Sequence, residues 1–78
     1  MKRIKCTLGK TIEELGTTRN ALSVQSRVRS NTIINIVNDD VSSVTFETLT
    51  KILEALDVIA QEKGINRSFD VSDVFVYE

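Results

Sequence analysis

The chain has 78 residues, ten basic and eleven acidic side chains, no histidine and one cysteine, which bounds it to a single small domain spanning 1–78. A lone Cys6 rules out an internal disulfide. The lack of His removes the usual metal-ligand sets and histidine acid–base schemes, so neither a metal nor a catalytic constellation is expected. Met1-Lys2-Arg3 leads into no long apolar run, so no signal peptide and no membrane contact are expected, and a reduced cytoplasm is the natural compartment.

The net charge of −1 hides a division. Residues 1–35 carry seven cations (Lys2, Arg3, Lys5, Lys10, Arg19, Arg27 and Arg29) against Glu13 and Glu14. Residues 36–78 carry three cations against nine acids. One face toward phosphate and an acidic side away from it is what such a split implies, although charge runs are commonly just solvated faces.

In chain order, Arg3-Ile4-Lys5-Cys6 alternates polar and apolar over a span too short to establish a strand by itself. From Thr7, the spacing of Leu8, Ile12 and Leu15 predicts a first helix with one apolar stripe, ended by Gly16. Lys10 falls off that stripe, able to reach a phosphate or simply to be solvated. Thr18 to Asn38 reads as two short helices joined by a tight turn. Thr18 caps the first, Leu22 is its inward residue, and Ser23 is small enough for close helix approach. The chain turns through Ser26-Arg27-Val28 and restarts near Arg29. In the second helix Ile33 and Ile36 share one face while Ser30, Asn31, Ile34 and Asn35 share the other. A face of amides and a hydroxyl flanked by cations has the chemistry that a DNA major groove accepts.

Asp39 to Val44 reads as a loop. Phe46, Leu49, Ile52, Leu53, Leu56, Ile59 and Ala60 then form the strongest helical stripe, capped by Thr45 and ended by Gly64, as the wall on which the helix-turn-helix packs. Truncating Leu49 or Leu53 to Ala is expected to cost about 2–5 kcal/mol. Val24, Val37 and Val58 fall off their helices' stripes, leaving room for a subunit contact. The tail 66–73 is polar, with a helical turn expected around Ser72-Asp73. Val74-Phe75-Val76-Tyr77 suits a strand whose sole available partner is 3–6; the alternative is irregular docking on the long helix. Cys6 is expected to be a small buried hydrophobe between strand and first helix. The fold class is thus mainly α: a small helical bundle with a helix-turn-helix and, on the first alternative, a two-stranded sheet joining the termini.

The set Leu22-Ser23, Val28, Thr32-Ile33, Ile36 and Asn38 resembles the lambda-repressor-like helix-turn-helix family of phage Cro proteins and repressors. The likeness extends to 4–8, to Phe46-Glu47-Thr48-Leu49 and to 70–74. Two residues depart from it, because family members usually have Ala where Ser23 stands and Gly where Arg27 stands. The Arg27 position tends to need positive φ, so either Arg27 accepts strain of about 1 kcal/mol or the turn differs locally.

The resemblance implies a sequence-specific transcriptional regulator, a phage or bacterial repressor binding a palindromic operator in double-stranded DNA as a homodimer. Ser30, Asn31, Ile34 and Asn35 would read bases. Arg29 would reach a guanine or a phosphate. Thr18, Arg19, Asn20, Asn38 and Lys10 would meet phosphate. The rival reading is a protein-interaction module, such as an antitoxin or antirepressor, gripping a protein with the same helices; Ile34, Val24 and Val37 would serve it if they formed one patch. No cofactor, small-molecule ligand or enzymatic activity is expected, since the carboxylates are scattered and Cys6 lacks a base.

Overall fold

The structure, a computed structural model, describes residues 2–78. Its elements run β1 (Ile4–Cys6), α1 (Leu8–Leu15), α2 (Arg19–Ser26), α3 (Ser30–Val37), α4 (Phe46–Glu62), a 3₁₀ turn (Val71–Asp73) and β2 (Phe75–Tyr77). The fold is therefore mainly α with a two-stranded sheet, and that sheet joins the two ends of the chain, as expected. Pairing is antiparallel with Ile4 opposite Tyr77, Lys5 opposite Val76 and Cys6 opposite Phe75. The ladder continues outward through reciprocal Arg3–Glu78 backbone bonds of 2.8 and 3.0 Å. Three-residue strands cannot stand alone, so the sheet leans on the helices through Val74, which is fully buried in the core.

Leu8, Leu22, Ile33, Ile36, Ile52, Leu56 and Val74 are all completely buried in one cluster, each helix contributing its stripe. Within it, α2 packs chiefly on α4 and α3. Burial of a Leu or Ile side chain is worth about 1.5–3 kcal/mol, so this cluster is the main source of cohesion. A polar seam seals its lower edge. Thr7 Oγ1 donates to Ser72 O at 2.8 Å and Thr11 Oγ1 to Asp73 O at 2.7 Å. Arg67 bridges Glu14 at 3.1 Å and Asp73 at 2.9 Å, and stacks its guanidinium over Phe69. Its hydrogen bonds to Glu14 and then to Asp73 push the Arg67 pKa further up.

Helix ends follow the expected punctuation with one addition. Thr18 and Thr45 cap α2 and α4, their Oγ1 atoms accepting from Ala21 N and Thr48 N. Gly16 and Gly64 end α1 and α4 at φ 67° and 72°. The loop after α3 uses Asp39 in the same way, at φ 59°, with Asp39 N bonded to Ile36 O and Asp40 N to Asn35 O. This double closure satisfies the last carbonyls of α3 with an Asp where glycine is usual. A carboxylate beside a helix C-terminus is electrostatically unfavourable, and Arg3 pairs with it.

Four expectations are corrected. Phe46 is 88% exposed rather than part of the core. The buried stripe of α4 centres on Ile52, Ala55, Leu56, Ile59 and Ala60, and Phe46, in the first turn, falls at its edge. Leu49 and Leu53 flank the same stripe and are half-buried, so truncating either removes fewer contacts than expected. Val37 and Val58 are half-buried too, not free surface. Val37 faces Gly9, where an added Cβ would lie 3.2 Å from its Cγ1, so glycine there lets α1 and α3 approach. Cys6 is half-buried rather than buried, and desolvation raises its thiol pKa, which favours the protonated form at neutral pH.

Candidate nucleic-acid interface

The turn between α2 and α3 is built by side-chain hydroxyls. Arg27 takes the left-handed conformation at φ 61°, ψ 24°, so it accepts the strain instead of avoiding it. Three interactions hold it there. Ser23 Oγ donates to Val28 O at 2.6 Å, Ser26 Oγ accepts from Val28 N at 3.2 Å, and Val28 is itself buried. Ser23 and Ser26 are both buried, so neither hydroxyl exchanges this bond for water at no cost. Sequence reasoning saw Ser23 as merely small. Its hydroxyl is the missed feature, and the available signal was a polar residue where close packing alone would accept Ala.

This turn orients α3. Ile33 and Ile36 are wholly buried, while Ser30, Asn31, Asn35 and Asn38 are exposed and Ile34 is 38% exposed. Residues 31, 34, 35 and 38 follow the one-face spacing of a helix, with Ser30 at its leading end. Thr18, Arg19, Asn20, Ser30 and Ile34 line one open depression of about 350 Å³ between the start of α2 and the outer face of α3. Five of the ten site residues named from the sequence thus meet in one concavity. Asn31 and Asn35 extend the same face, and Asn38 ends it at the C-terminus of α3, its backbone N–H bonded to Ile34 O. Arg29 stands exposed just before α3, at the mouth of the turn.

Lys10 does not join them. It lines a separate depression with Thr7, Glu14, Arg67 and Asp73, because the outer face of α1 turns toward the C-terminal segment. Electrostatically the interface is cationic at the start of α2 and at the turn. Among the described residues, Arg19, Arg27 and Arg29 have no carboxylate within 4.0 Å, whereas Arg3 and Arg67 do. Arg27 projects toward α4, sharing a depression with Gln25, Lys51 and Glu54. No group of three potential metal ligands occurs among the described residues, and no helix there is long and apolar enough to cross a membrane.

No family model matches the chain, and comparison with curated proteins and with solved structures likewise returns no match.

Proposed function

We propose that the chain is a sequence-specific DNA-binding transcriptional regulator, a lambda-repressor-like helix-turn-helix repressor of phage or bacterial origin that occupies a palindromic operator as a homodimer in the cytoplasm. The observation that carries this reading is the orientation of α3, with isoleucines anchored in the core and Ser30, Asn31, Ile34 and Asn35 presented outward beside Arg19 and Arg29, which have no ion-pair partner among the described residues. On this reading α3 enters the major groove while the capped start of α2 crosses the backbone. Thr18, Arg19 and Asn20 meet phosphate, aided by the Arg19 and Asn20 amides, which the Thr18 cap does not engage. Asn31 and Asn35 offer paired donor and acceptor to adenine, Ile34 packs on a thymine methyl, and each good bidentate contact discriminates by about 1–3 kcal/mol. Asn38 contacts backbone at the far end, and Arg29 sits where either a guanine or a phosphate is in reach.

The test is selection from random duplexes followed by titration at several salt concentrations. Asn31→Ala and Asn35→Ala should relax sequence preference, each at its own base pair. Arg19→Ala should weaken binding to all sequences alike and lower the salt slope by about one unit. Asparagine variants that select the same site as the parent protein would refute the assignment. The competing reading, an antitoxin or antirepressor surface, draws on exposed Phe46 and on the apolar depression lined by Ile4, Val41, Val44 and Phe75. It predicts binding to a protein with little salt dependence and no duplex selected. Val37, packed on the core, does not complete an apolar patch with Val24 and Ile34.

A further inference from the structure

Ser30 lies in the proposed groove-facing surface, and the buried hydroxyl of Ser23 lies behind it at 3.3 Å, Oγ to Oγ. A serine hydroxyl has one proton to give and two lone pairs to receive. Ser23 Oγ is also 2.6 Å from Val28 O, a carbonyl oxygen that has no proton to give. Two oxygens that close repel unless a proton lies between them, so Ser23 must direct its proton to Val28 O. Ser26 does not compete for this role, since its Oγ accepts the Val28 N–H and faces Ser23 O at 3.4 Å. The contact between the two hydroxyls then has one possible polarity, with Ser30 donating and Ser23 accepting.

We infer that Ser30 meets DNA as a hydrogen-bond acceptor only, and that buried Ser23 is the positioning residue that sets this specificity. The inference rests on the DNA-binding reading above. With its proton turned inward, Ser30 presents lone pairs to the groove. In the major groove a lone pair is satisfied by an exocyclic amino group, N6 of adenine or N4 of cytosine, whereas guanine N7 and O6 and thymine O4 offer only further lone pairs. An unconstrained serine accepts any base by rotating its hydroxyl. This one is held to the amino-bearing base of whichever pair it meets. The selectivity comes from a residue that touches no DNA.

The experiment begins with duplex selection by the wild-type protein and by Ser30→Ala, which locates the base pair that Ser30 contacts. Every pair presents one such amino group in the major groove, on adenine or on cytosine, so its removal is the deciding step. Removing only the exocyclic amino group of that base, by placing purine for adenine or pyrimidin-2-one for cytosine, should weaken wild-type binding by about two- to tenfold, the range of one net hydrogen bond. For adenine, replacing N7 by carbon should change nothing at that position. Ser23→Ala frees the Ser30 proton to donate to a ring nitrogen or keto oxygen instead and should shrink the effect of the amino deletion. If Ser23→Ala does not fold, the base-analogue titration with the unaltered protein still decides.

Indifference to amino deletion would overturn the inference while leaving DNA binding standing. Selection of no duplex would overturn the DNA-binding reading and this inference with it. A DNA-free check uses the unfolding midpoints of Ser23→Ala, Ser30→Ala and the double variant. Non-additive shifts are expected from a direct hydroxyl pair, and strictly additive ones would show that the pair does not form.

Discussion

Replacing Arg27 first by alanine and then by glycine separates what its side chain does from what its backbone costs. Alanine removes the guanidinium, which has no carboxylate partner among the described residues, and keeps the Cβ at φ 61°, ψ 24°. Glycine then removes the Cβ. A residue with a Cβ in the left-handed region is strained by about 1–2 kcal/mol relative to glycine. Glycine adds back about 0.4–1 kcal/mol of unfolded-chain entropy that folding must overcome. The difference favours glycine over alanine by about 0.5–1 kcal/mol. With an m-value near 1 kcal/mol/M, the low end for a domain of this size, the urea midpoint should rise by about 0.5–1 M with m unchanged. Gly16 supplies the control: it sits at φ 67°, and a Cβ added there would meet nothing within 4 Å, so Gly16→Ala should lose stability by a similar amount through backbone strain alone. If glycine at 27 instead proves less stable than alanine by about 0.5–1 kcal/mol, as at an ordinary helical position, the left-handed turn and the role of the serine hydroxyls in holding it are wrong.

Further outcomes follow from the same geometry. Leu56→Ala, at a wholly buried site, should cost about 2–5 kcal/mol by chemical denaturation, whereas Phe46→Ser, at a site 88% exposed, should stay within about 0.5 kcal/mol; equal losses would return Phe46 to the core. Hydrogen bonds from Ser72 hold the Asp70 carboxyl below its usual value, so its contribution is present above the unfolded pKa of about 3.9 and is lost as pH falls through the lower folded value. The stability gap between wild type and Asp70→Asn should therefore shrink as pH drops below about 4, and a gap constant across that range would contradict the 3₁₀-turn cap. In DNA titrations, Asn31→Ala and Asn35→Ala should alter which sequence is preferred, and Arg19→Ala only how tightly any sequence is held.

All four helices, their caps at Thr18 and Thr45 and the pairing of the chain ends were legible in advance, because each rests on local rules. Apolar spacing at a 3.6-residue period marks a helix face, a side-chain oxygen serves the free amides at its start, and a lone strand requires whatever partner the chain supplies. The exposed set on α3 was readable for the same reason, since fixing Ile33 and Ile36 inward turns Ser30, Asn31 and Asn35 outward. Periodicity says which way a side chain points but not whether anything lies there to cover it. Phe46 stands at the edge of its stripe and is left 88% exposed, while Val37 is covered because Gly9 allows α1 to come near. Lys10 is turned toward the C-terminal segment, and Ser23 and Ser30 are brought together across the turn. Coverage, charge pairing and the direction of a shared proton depend on residues distant along the chain, so they emerge only when the helices pack.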